Sequence, residues 1–239
     1  MSGSWRGLVG IVKPTKGSGS HEELIRMLPE GIGVIPLFNN IKHGKIEEFR
    51  AALSSYEAKI AELAEDKVDL IHAAGTPPFM LLGYRGEQEL IGKWEKKYKI
   101  PIITSGTNQI SALRALKIKK FVGAGYDFED TTIVAKYFTD AGFEVLSIER
   151  IPVPWEDVGK LSSRVVYSLA KEAFLKHPGA EGIYFQGGKL RILDIVEELE
   201  QDLQVPVVHP IVAECWEIQK RLHVRQPRSG YGRLLAEMP

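Results

Sequence analysis

Short apolar runs alternate with amphipathic stretches along the whole chain, and this alternation limits the possible folds more than any other feature. The apolar runs read as strands at Gly7–Val12, Gly33–Phe38, Val68–Ala73, Pro101–Thr104, Lys120–Ala124, Glu144–Ile148, Gly182–Phe185 and Val205–Val208. The stretch Lys45–Asp66 carries Phe49, Leu53, Tyr56, Ile60 and Leu63 at helical spacing. Further helices are expected at Glu87–Lys97, Gln109–Leu116, Asp130–Ala141, Val158–Lys176, Ile192–Leu203 and Ile211–Leu222. Strands that alternate with helices of this length build βαβ units. The strand-and-turn segment ending Ala73-Ala74-Gly75-Thr76 recurs loosely as Phe185-Gln186-Gly187-Gly188, nearly half the chain later. The expected fold is therefore α/β with two pseudo-symmetric lobes, each with a mainly parallel sheet flanked by helices, and a ligand site between the lobes. Residues 1–108 form the first lobe, completed by the C-terminal helical segment 211–239, and residues 109–210 form the second. One continuous sheet with coincidental turns is the competing arrangement.

In open parallel sheets, ligands bind beyond the C-terminal ends of the strands. Here those ends are Lys13-Pro14-Thr15, Asn39-Asn40, Gly75-Thr76, Thr104 to Asn108, Gly125-Tyr126-Asp127, Gln186-Gly187-Gly188 and His209-Pro210. Glycine lets a ligand approach the backbone, and free N–H groups at helix N-termini favour anions. A small carboxylate ligand follows from this chemistry. Each residue also has a structural reading. Gly187-Gly188 also suits a tight turn, Tyr126 suits half-buried packing, and Thr104 to Asn108 suit helix capping. His72, inside a strand, reads as a hydrogen-bonded core or subunit-interface residue. His209 stands at a strand end, where it either lines the site or packs beneath it. Lys13 and Lys16 are placed to attract an anion or simply to be solvated. Trp155 either caps the pocket or covers the core, and Cys215 reads as a small buried residue.

Composition excludes several classes of function. With 31 Lys plus Arg against 31 Asp plus Glu, bulk charge draws the chain neither to nucleic acid nor to an anionic membrane. No apolar run is long enough for a transmembrane helix, and the first residues lack a signal core, so a cytoplasmic protein is expected. The single cysteine allows neither an intrachain disulfide nor a multi-cysteine metal site. There is no phosphate loop and no zinc helix, and Gly123-x-Gly125 lacks the third glycine of a dinucleotide fingerprint. No cofactor and no metal are expected.

Several segments carry a family resemblance: Gly10 to Pro14, Gly75-Thr76, Leu113-Arg114-Ala115-Leu116, Tyr126, Gly187-Gly188, Val205-Pro206-Val207-Val208 and Ser229-Gly230-Tyr231-Gly232-Arg233-Leu234. Nearly end to end, the chain resembles the aspartate/glutamate racemase superfamily. Within it the chain is most similar to arylmalonate decarboxylase, and the maleate cis-trans isomerases are more distant. The racemases place one cysteine per lobe on either side of the substrate α-carbon. The decarboxylase keeps only the second, loses CO2 without a cofactor and protonates an enediolate. Here Gly75 fills the first position and Gln186 the second. An amide cannot cycle a proton, which argues against racemase or cysteine-dependent isomerase activity. Pro77 replaces a hydroxyl residue and Phe49 a tyrosine, so the site is less polar.

The resemblance implies catalytic roles for Gly75, Thr76, Tyr126 and Gln186. Pro14, Asn40, Pro77, Thr107, Gly187, Gly188 and His209 are the candidate substrate contacts. The expected function is a decarboxylase-like lyase acting on a small, malonate-type carboxylate, aryl-substituted or not. The proton would come from a water held by Gln186, from His209 or from solvent. The alternatives are an isomerase or hydratase using His209 or Asp127 as base, and a non-catalytic carboxylate-binding protein. A monomer or homodimer is expected.

Overall fold

The computed structural model describes residues 3–16, 19–126, 132–151 and 153–239. The first sheet holds β1 (Gly7–Lys13), β2 (Ile32–Phe38), β3 (Leu70–Ala73) and β4 (Ile102–Thr104), in the order β2-β1-β3-β4. The second holds β5 (Lys120–Tyr126), β6 (Glu144–Ile151), β7 (Gly182–Phe185) and β8 (Val207–Val208), in the equivalent order β6-β5-β7-β8. Every described strand pair is parallel. The helices are α1 (Ser20–Met27), α2 (Ile46–Glu65), α3 (Thr76–Met80), α4 (Gly83–Tyr98), α5 (Ser105–Ala115), α6 (Thr132–Asp140), α7 (Ser163–Lys176), α8 (Leu193–Leu203), α9 (Pro210–Arg221) and α10 (Arg233–Glu237). The two-lobed α/β fold is thus established. No helix among the described residues is long and apolar enough to cross a membrane.

The strands of the second sheet show why both of its faces must be covered. Phe121, Tyr184 and Val208 enter one core cluster, while their neighbours Val122, Ile183 and Val207 enter another. This is the period-2 alternation of a sheet buried on both sides. The first of those clusters also contains Val9, Ile11, Ile71 and the buried face of α9. The two lobes therefore share one continuous core, and α9 packs against α1 and α5.

Some boundaries differ from the sequence reading. Helix α1 was not anticipated. Pro77 and Pro78, which follow the turn after β3, open α3, a helix the sequence reading did not include, because the first helical turn needs no N–H partners. Helix α4 starts before Glu87, and the expected helix from Val158 is a short 3₁₀ turn followed by α7, whose N-cap Ser162 accepts from Arg164 N.

Glu87 of α4 ties the lobes together. It is fully buried and accepts hydrogen bonds from the Thr104 hydroxyl at 2.7 Å and from the Tyr137 hydroxyl of α6. Burial raises its pKa to about 7, although the two hydroxyls oppose the rise. The folded state therefore holds this proton while the unfolded chain releases it near pH 4.5. Stability should fall by about 3 kcal/mol as pH rises from about 4.5 to 7, then level off. In Glu87→Gln that loss should vanish, so the variant should melt above the parent at pH 8 and level with it at pH 4.5. Parallel melting curves at both pH values would contradict this placement of the charge.

Candidate functional site

Both sheet orders reverse direction at one strand pair, β1/β3 in the first and β5/β7 in the second. Such switch points leave a crevice at the strand ends. The two crevices face each other and enclose a cavity of about 60 Å³. Lys13, Pro14 and Thr15 line it from the end of β1, and Ala74, Gly75, Thr76 and Pro77 from the end of β3. The second lobe contributes Tyr126, Gly187, Gly188 and Lys189, and Trp155 lies alongside.

Gly75 has φ +103° and donates its N–H to Ser105 Oγ at 2.9 Å. A Cβ there would press on Pro14 at 3.0 Å and on the Tyr56 hydroxyl at 3.1 Å. Thr76 is buried, and its hydroxyl oxygen accepts from Gln109 Nε2 at 3.4 Å, leaving its own proton to donate. The Tyr126 hydroxyl accepts from Lys189 N at 2.9 Å, which likewise frees its proton. Burial raises the Tyr126 pKa, so the phenol stays a neutral donor. Its ring meets Trp155 edge-on at 4.7 Å, and Trp155 meets Phe49 at 5.8 Å. The side chain of Lys189 donates to the Trp155 carbonyl at 2.6 Å and stands over its ring. Trp155 is thus held against the cavity.

Pro14, Gly75, Thr76, Pro77, Tyr126, Gly187 and Gly188 therefore meet in one place. Four other candidates do not line the cavity. Asn40 is exposed beyond β2, and its buried neighbour Asn39 instead accepts from the Ser55 hydroxyl at 2.6 Å. Thr107 completes a capping box: Thr104 Oγ1 accepts from Thr107 N at 3.2 Å, and Thr107 Oγ1 accepts from Thr104 N at 3.0 Å. Gln186 is folded over Gly125, where a Cβ would lie 2.6 Å from Oε1. Its buried amide has no hydrogen-bond partner among the described residues. His209 is fully buried as the N-cap of α9, with Nδ1 accepting from Ile211 N at 3.3 Å. Burial lowers its pKa to about 4, so it is a poor base at neutral pH. Asp127 lies outside the described residues. Cys215 is buried on α9, and burial pushes its thiol up to about 12.

The sequence reading placed Ser105 only within the strand end Thr104 to Asn108, and it did not name Ser20, Lys189, Ile211 or Glu214 as site residues, all of which line the cavity. Lys13 and Glu214, both nearly fully buried, bring opposite charges to the cavity. The signal for Glu214 was available, since it sits in the apolar run Ile211-Val212-Ala213-Glu214-Cys215-Trp216 and a buried carboxylate demands a partner. That partner is His72, whose Nδ1 lies 2.7 Å from Glu214 Oε1.

A family model for arylmalonate decarboxylase matches residues 10–235. Comparison with curated proteins gave no match. Among solved structures, a maleate isomerase from Pseudomonas putida superposes with a TM-score of 0.90 at 19% identity, covering 98% of this chain and 99% of that one. A liganded double mutant of arylmalonate decarboxylase gives 0.89 at 21% identity, covering 97% and 99%. A maleate cis-trans isomerase from Nocardia farcinica, bound to TRIS, gives 0.88 at 18% identity, covering 97% and 98%. At such identities the likeness is one of fold.

Proposed function

Because the chain belongs to the arylmalonate decarboxylase family, we propose that it is a cofactor-independent lyase that removes CO2 from a small malonate-type carboxylate. One observation carries this reading: hydroxyl donors from both lobes, Thr76 and Tyr126, line one cavity together with the buried cation of Lys13. In this reading Lys13 attracts the carboxylate that is retained. The bond to the departing carboxylate breaks, its electron pair moves into the enediolate, and Thr76 and Tyr126 stabilise the oxygen charge. A proton then adds to the α-carbon. Trp155, held over the cavity, shields the departing carboxylate from water and so favours its loss as neutral CO2.

The relatives support decarboxylation or isomerisation on this scaffold. Cysteine-dependent isomerisation has no support in this chain, since Gly75 and Gln186 carry no thiol and Cys215 is sealed in α9. The test is CO2 release from a panel of mono- and disubstituted malonates. The parent should turn over at least one of them, and Tyr126→Phe should be slower by about 100- to 1000-fold, the usual effect of losing one oxyanion donor. Folded protein that releases no CO2 from any member of the panel would sink the proposal.

A further inference from the structure

The decarboxylation reading leaves the proton without a donor, since neither Gly75 nor Gln186 is an acid. A chain of three ionisable or hydroxylic side chains ends in the same cavity. Glu214 Oε1 accepts from His72 Nδ1 at 2.7 Å, and His72 Nε2 lies 3.3 Å from Ser105 Oγ. His72 is fully buried, while Ser105 and Glu214 line the cavity. Ser105 Oγ already accepts from Gly75 N at 2.9 Å.

We infer that Ser105, His72 and Glu214 form a proton relay opening on the cavity, with the Ser105 hydroxyl as the catalytic acid and the other two as positioning residues. Only the fate of the proton rests on the proposed decarboxylation; the relay itself does not.

The geometry sets the direction of transfer. The Glu214 carboxylate only accepts, so it fixes the proton of the His72 ring on Nδ1. When Nε2 is also protonated, Gly75 N–H and His72 Nε2–H both donate to Ser105 Oγ. The hydroxyl proton must then point elsewhere, and the cavity is the free direction. Transfer of Ser105 Oγ–H to the α-carbon, with Nε2–H replacing it on the oxygen, leaves serine unchanged and His72 neutral. Solvent recharges the ring, so each turnover takes up the one proton that loss of CO2 from a dicarboxylate requires. Asn108 suits both protonation states. Its Nδ2 lies 3.4 Å from His72 Nε2, and its buried Oδ1 has no partner among the described residues, so turning the amide presents an acceptor to the protonated ring. Burial pushes the Glu214 carboxyl up, but His72, with Lys13 of β1 and His21 of α1, together hold it below the usual range.

A serine in such a relay reacts with a small sulfonyl fluoride. Its Oγ–S bond forms, the S–F bond breaks, fluoride leaves and the hydroxyl proton passes to His72. The parent protein should therefore be modified once by methanesulfonyl fluoride, at Ser105, as read by intact mass and peptide mapping. The rate should rise with pH along a single ionisation. Ser105→Ala should not be labelled, His72→Asn should lose both the pH dependence and about 100-fold or more in rate, and Glu214→Gln should lose about tenfold. If His72→Asn does not fold, Glu214→Gln and the pH profile of the parent carry the test. No labelling of folded parent protein, labelling at another residue, or equal rates in the relay variants would overturn the relay. Labelling without CO2 release retains the relay and rejects the decarboxylase; CO2 release undiminished in Ser105→Ala does the reverse.

Discussion

Gly187→Ala should destabilise the protein by about 2–4 kcal/mol and reduce CO2 release by at least 100-fold. Gly187 has φ +96°, where an L side chain is strained. A Cβ at this position would also lie 1.8 Å from the Tyr126 ring and 1.9 Å from its hydroxyl. Neither group can yield cheaply: the ring is wedged against Trp155, and the hydroxyl is fixed by Lys189 N. Moving the ring removes the donor that the proposed chemistry needs. In a protein of this size the melting temperature should drop by roughly 5–15 °C. Gly188→Ala is the control. Its φ is not positive, and the nearest obstacle is the movable end of Ile211 at 2.8 Å. That variant should lose less than about 1 kcal/mol. Equal behaviour of the two variants would show that Tyr126 does not rest on Gly187.

The contrast between neighbouring glycines shows what the sequence could convey and what it could not. The βα alternation carried the two lobes, because strand and helix periods are local properties. The repeated turn carried the relation between Gly75 and Gly187. Helix α1 was missed because only Leu24 and Met27 of its eight residues are buried, too few to establish a period. Gln186 misled for a different reason. Its position at the end of β7 was read correctly, but the side chain lies over Gly125 of the neighbouring strand, and only the sheet order makes them neighbours. The relay was invisible on the same grounds. His72 and Ser105 are separated by 33 residues, and His72 and Glu214 by 142. They meet because β3 pairs with β4, with Ala73 opposite Thr104, and because α9 begins directly after β8.

The same long-range assembly places Lys13, and its removal should have the second largest effect. Lys13 ends β1 and is only 5% exposed, whereas Lys16, three residues on, is exposed. A buried cation attracts an anion with little screening by water or salt, while an exposed one is worth little. Glu214 and Glu23 both feel the charge of Lys13, and so does His21, whose pKa falls chiefly through burial and next through Lys13. With Glu214 held by His72, the ammonium group is left to meet a ligand carboxylate. Lys13→Met should weaken malonate binding by about 30- to 150-fold, equivalent to about 2–3 kcal/mol. Lys16→Met should change it by less than about twofold. Calorimetric titration at low and high salt separates the two, because the Lys13 contribution should persist at high salt. Equal affinities in the two variants would mean that the cavity takes its ligand without the buried charge, and would shift the anion-binding role to the hydroxyls of Thr76 and Tyr126 alone.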